Sequence, residues 1–105
     1  MKYLGFLALA LLAGCKSTTT ICDTNPNANV CNSASYSSNT IEALEKFESF
    51  KSKKSFALAK SSNGHEAFGY SFGFKSKKEA DRRALSECKI RANSFKINAT
   101  CELIR

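Results

Sequence analysis

Residues 65–74, HEAFGYSFGF, place an aromatic ring at every second position. Period two is the signature of a β-strand with two unlike faces. Phe68, Tyr70, Phe72 and Phe74 share one face, and Ala67, Gly69, Ser71 and Gly73 share the other. The preceding SSNG, residues 61–64, supplies an Asn-Gly turn suited to positive φ. Before it, SFALAK carries Phe56 and Leu58 on one parity. The two runs read as a β-hairpin. The aromatic face reads as core, because the longest helix downstream has a stripe of small residues that wants large partners opposite.

That helix is SKKEADRRALSECKIRAN, residues 76–93. Ser76 and Glu79 have capping-box spacing. Ala80, Ala84, Leu85, Cys88 and Ala92 form its apolar stripe, and Asp81, Arg82, Lys89 and Arg91 are expected to face water. A shorter helix is expected over 40–51. Asn39 and Glu42 suit a capping box there, and Ile41, Leu44, Phe47 and Phe50 form its apolar side. The tail KINATCELI reads as a third strand, with Ile97, Ala99, Cys101 and Leu103 on one face.

The order is α-β-β-α-β. The expected fold is a small α+β domain, a three-stranded antiparallel sheet with the long helix on one face. The third strand could pair with either hairpin strand. Pairing with the first makes the sheet wholly antiparallel and puts strand one in the centre. The short helix is left beside the long one or on the back face, where Ala57, Ala59, Gly69 and Gly73 allow close approach.

The start of the chain is of another kind. Lys2 precedes an apolar run, YLGFLALALL, and then LAGC, residues 12–15. This is the layout of a secretory signal, too short for a membrane-spanning helix. Its last four residues resemble the bacterial lipobox. The resemblance implies cleavage before Cys15 and acylation of that residue, making Cys15 the lipidation site. Several acyl chains hold a protein stably on a membrane where one does not. By the same resemblance, Lys16 after the cysteine implies the outer membrane. The expected location is the cell envelope, lipid-anchored, with outer membrane ahead of inner and periplasm-facing ahead of surface-exposed.

Removing residues 1–14 leaves enough chain for one small domain. The expected division is a signal peptide over 1–14, a lipidated tether rich in Ser, Thr and Asn over 15–40, and a folded domain over 41–105. Four cysteines remain beyond the anchor. An even number in an exported small domain reads as two disulfides, with three pairings open. A metal site is the competing reading, but there is no C-x-x-C and His65 is remote. Cys88 lies on the helix stripe and Cys101 on the apolar face of the last strand. Packing helix on sheet brings those together, so the expected pairs are Cys88–Cys101 and, by default, Cys22–Cys31. No metal and no cofactor is expected.

The stretch from Phe56 to Cys101 is similar to small secreted bacterial domains of unknown function. These share a Gly-Tyr-Gly-type strand, a helix of the form S-x-x-E-A-x-x-x-A-L-x-x-C and a later cysteine. The resemblance implies a fold and a disulfide, and no activity.

The formal net charge is +7. Residues 15–40 balance, with Lys16 against Asp23, so the excess of the mature chain falls in residues 41–105. Lys51, Lys53 and Lys54 precede strand one, and Lys75, Lys77 and Lys78 follow strand two. A hairpin brings both triplets to the end opposite its turn. That end is the candidate anion-binding site, beside the amides of a helix start. The expected partners are the membrane, through lipid on Cys15, and an anionic envelope polymer or an acidic protein. Nucleic acid is not expected, and the oligomeric state is open. His65 beside Glu66 is the one acid–base candidate, with no nucleophile or carboxylate pair at usable spacing. The expectation is therefore a non-enzymatic binding module. The alternative is an inhibitor or immunity lipoprotein that blocks a toxin or a cell-wall hydrolase.

Overall fold

The computed structural model describes residues 19–105. The signal peptide and Cys15 lie outside the described residues. Three helices and three strands follow in order: α1 (Ile21–Thr24), α2 (Ser38–Glu48), β1 (Ser55–Lys60), β2 (Glu66–Ser71), α3 (Lys77–Ser94) and β3 (Glu102–Leu103). Two short 3-10 turns, Asn29–Cys31 and Ser33–Ser35, link α1 to α2.

The sheet is antiparallel in the order β2-β1-β3, so the first strand is central. Ala57 pairs with Gly69 on one side and Leu103 on the other. β1 is covered on both faces: Phe56, Ala57, Leu58 and Ala59 are all fully buried. The hairpin turn forms as read, with Gly64 at φ +89° and its amide donating to the Ser61 carbonyl.

The two faces are used the opposite way from the expectation. The long helix does not sit on the aromatics. α3 lays Ala84, Cys88 and Ala92 on the small face of the sheet, against Ala57, Ala59 and Ala67. The physical reason is Gly69. A Cβ built there would lie 2.2 Å from the Cys88 amide nitrogen and 2.6 Å from the Ala84 carbonyl oxygen. Helix and strand backbones therefore touch, which only small residues on both sides permit. The aromatic face turns the other way. Phe56, Leu58 and the half-buried Phe68 pack with Leu44 and Phe47 of α2. Phe47 meets Phe56 edge to face at 5.5 Å, and Phe56 stacks on Phe68 at 5.4 Å. The result is α2, sheet and α3 in three layers.

Residues 19–40 are not a free tether. Val30 and Tyr36 belong to the aromatic core, and the Tyr36 hydroxyl donates to the Val30 carbonyl at 2.6 Å. Burial pushes the Tyr36 phenol up from its ordinary value. The polar composition concealed two anchoring side chains and a loop closed by Cys22–Cys31. Cys88–Cys101 also forms, joining α3 to the segment before β3. Both cores, the sheet and both disulfides are built from described residues, so residues 19–105 carry two hydrophobic clusters, a three-stranded sheet and two cross-links of their own.

Element ends moved as well. α2 starts earlier than expected: the Ser37 hydroxyl, not Asn39, accepts from the Thr40 amide. Thr40, Leu44 and Phe47 are its buried side, while Ile41 is exposed. α3 starts at the expected cap, with Ser76 Oγ accepting from the Glu79 amide at 3.1 Å. It ends in a Schellman motif. Lys96 takes φ 57°, its amide reaching Asn93 and that of Ile97 reaching Ala92. That stop takes Lys96–Thr100 out of the expected strand and leaves β3 only two residues. Ile97, Ala99, Cys101 and Leu103 still pack against the alanine core.

Candidate functional site

The hairpin does bring the two lysine triplets together. Beyond β2, the Gly73 amide donates to the Lys51 carbonyl at 2.9 Å, and the Phe74 amide to the Lys53 carbonyl at 3.2 Å. These bonds lash residues 51–53 to 73–74 at the end opposite the Ser61–Gly64 turn. Gly73 sits at φ +73°, where the chain leaves the strand and turns into α3.

The six lysines are not equivalent. Lys54 closes the end of α2, its ammonium donating to the Phe47 and Glu48 carbonyls at 2.8 and 3.0 Å. It also lies 4.8 Å from the centre of the Phe47 ring. Lys77 holds Ser55 Oγ and Asp81 Oδ1, each at 2.7 Å, and reaches the Arg105 carbonyl at 3.3 Å. Lys51, Lys53, Lys75 and Lys78 are exposed. The end thus divides into two structural lysines and four that face water, with Glu48 and Glu79 the exposed acids nearby in sequence.

Asp81, expected to face water, is half-buried and takes part in this network, accepting from the Ser55 hydroxyl. Ser55, Lys77 and Asp81 have the residue types of a nucleophile with helpers. Ser55 is fully buried, however, and its hydroxyl is engaged by both neighbours. It seals the junction of β1 and α3.

His65 and Glu66 do not act as a pair. His65 is exposed at the turn. Glu66 points into an ion pair with Lys60 at 2.6 Å, where the two side chains are only 2% and 7% exposed. The same carboxylate accepts from Thr40 Oγ1 at 2.6 Å and from the Ser37 amide at 3.0 Å. Burial pushes this carboxyl up, but the bonds from Lys60, Thr40 and Ser37 outweigh it and hold it below its ordinary value. Lys60 completes the network through the Ser35 carbonyl at 2.8 Å. Glu66 therefore clasps the N-terminal segment and α2 to the hairpin.

Two features of the basic end were not foreseen. Arg105 arrives there because its carbonyl accepts from the Phe56 amide, extending the β1–β3 pairing. Phe72, expected in the core, is 48% exposed, and Tyr70 is 36% exposed. Phe50 packs against both at a tilt, with ring centres 4.4 Å from Phe72 and 5.5 Å from Tyr70. β2 ends at Ser71, so Phe72 falls outside the sheet. Phe50 standing directly before Lys51 was the available signal.

Among the described residues, no three His, Cys, Asp or Glu side chains gather as a metal site, and all four cysteines are in disulfides. No described helix is long and apolar enough to cross a membrane. No protein-family model, curated protein or solved structure matches this chain.

Proposed function

We propose that this protein is a lipid-anchored envelope protein whose folded body is a non-enzymatic binding module, and that its basic end contacts an anionic component of the envelope. Cys15 is the anchor, on the strength of the lipobox-like LAGC. One observation carries the binding reading. Main-chain bonds from Gly73 and Phe74 hold two lysine-bearing segments side by side, leaving Lys51, Lys53, Lys75 and Lys78 in water. Clustered ammonium groups raise the local concentration of anions and steer them to that end. The contact is then salt-sensitive, because exposed charges are screened within about 10 Å at moderate ionic strength.

The test is to replace those four lysines with Ser and measure capture of envelope material at low salt. Lys54 and Lys77 stay, since both hold the fold together. Binding should fall with the melting temperature unchanged. Undiminished capture by the variant contradicts the reading.

A further inference from the structure

We infer that Phe50, Tyr70 and Phe72, with the lysines beside them, form a face that docks onto the surface of an anionic phospholipid bilayer. This rests on the reading of the basic end as an anion-contacting surface and narrows it to one partner. At the rim of the aromatic core, the partly buried Phe50 contacts both Phe72 and Tyr70, with ring centres 4.4 and 5.5 Å away, and so carries the core's apolar surface out to two exposed rings. Phe72 is half exposed and Tyr70 over a third. Clusters of that kind mark contact sites.

The rings and the lysines are one surface, not two. Phe50 leads into Lys51, whose carbonyl takes the Gly73 amide next to Phe72. Lys53 is bonded in the same way to Phe74, which leads into Lys75. A dissolved polyanion could neutralise these ammonium groups, but it would leave the rings in water. A bilayer surface satisfies both, because aromatic rings favour the headgroup level and lysines meet lipid phosphates.

The reach of the chain points the same way. Folded structure is already present at Thr20, which caps α1 through its bonds with Asp23. With lipid on Cys15, four peptide steps separate the anchor from Thr19, at most about 14 Å. The nearest anionic surface is then the membrane itself. Thr19 and Thr20 lie beside Leu85 and Leu103, on the β3 side of the sheet. The anchored end and the aromatic face thus lie toward opposite edges of the sheet, so docking is a second contact distinct from the lipid rather than an extension of it.

The experiment uses oxidised residues 19–105, without lipid. Phosphatidylcholine vesicles with and without phosphatidylglycerol are compared by co-sedimentation, alongside dextran sulfate as a soluble polyanion. The body should bind only the vesicles containing phosphatidylglycerol. Phe72→Ser should weaken that binding about tenfold, with dextran sulfate binding and melting temperature unchanged. Lys51→Ser with Lys75→Ser should weaken both, about fivefold per lysine. A Phe72→Trp variant should shift its emission to the blue on the vesicles.

If Phe72→Ser leaves vesicle affinity unchanged, or the tryptophan emission does not move while the protein is bound, the bilayer face is wrong and the basic end stands. Tighter binding to dextran sulfate than to vesicles, with Phe72 indifferent, also overturns it. If neither vesicles nor dextran sulfate bind, both readings fall.

Discussion

Gly69→Ala is the sharpest test of how this fold closes. Gly69 has no positive φ, so the backbone there accepts alanine. Were the helix elsewhere, the change would stabilise the protein by about 0.5–1 kcal/mol, through strand propensity and a less flexible unfolded chain. In the observed packing the new methyl lies 2.2 Å from the Cys88 nitrogen, 2.6 Å from the Ala84 oxygen and 2.7 Å from the Glu87 carbonyl carbon. All three are backbone atoms, so no side chain can swing aside. Restoring an ordinary separation of about 3.5 Å requires α3 to retreat by roughly 1.3 Å. The separation tapers away from that contact, so the gap averaged over the interface is about 0.7 Å and forfeits about a quarter to a half of the dispersion between facing atoms. Spread over about 50 pairs at ~0.15 kcal/mol each, that is roughly 3 kcal/mol. The figure sits at the upper end of measured overpacking costs, about 1–3 kcal/mol. For a domain of this size it lowers the melting temperature by about 12–24 °C. The assay is thermal unfolding of the oxidised protein by circular dichroism, with Gly73→Ala as comparison. That glycine has open space around it but φ +73°, so it should lose only about 1–2 kcal/mol. A Gly69→Ala protein as stable as the parent, or more so, refutes the small-on-small packing of α3.

Three further outcomes follow from other parts of the structure. Glu66→Gln leaves the Lys60 ammonium buried without its counter-charge and should cost about 3 kcal/mol in chemical denaturation. Because the Glu66 carboxyl is held below its ordinary value in the folded state, its contribution is present above the unfolded value near 4.5 and is lost as pH falls through the folded one. The parent's stability should therefore fall with acid below about pH 4.5, and Glu66→Gln should flatten that slope. Lys96→Gly should stabilise by about 1 kcal/mol, because the Schellman position at φ 57° suits glycine. Cys88→Ala with Cys101→Ala opens a short loop and should cost about 3 kcal/mol, read from the urea midpoint.

Much of the architecture was legible in the residues. The Asn-Gly turn and the capped helix from Ser76 follow from local patterns, while the central place of β1 followed only from favouring a wholly antiparallel sheet over a mixed one. The Cys88–Cys101 pair followed from placing two apolar faces together. The choice of face for the long helix did not. An alanine stripe is compatible with large partners at a distance or small partners at contact, and periodicity is blind to interaxial distance. Gly69 between Ala67 and Ser71 was the clue, since a glycine inside a strand signals close backbone approach. The N-terminal segment misled for a different reason. Its Ser, Thr and Asn content describes its surface, while its attachment rests on Val30, Tyr36 and the clasp at Glu66. At the candidate site, the convergence of the lysine triplets was readable from hairpin geometry. Their division was not, because Lys54 and Lys77 are engaged by carbonyls and hydroxyls brought there by tertiary structure.

The most direct measurement of the central claim is an amide-resolved NMR titration of oxidised residues 19–105 with anionic bicelles. Shifts confined to residues 50–53 and 70–78, fading as salt is raised, are what the basic and aromatic end predicts. Shifts centred on the Ser61–Gly64 turn at the opposite end, or none at low salt, contradict it.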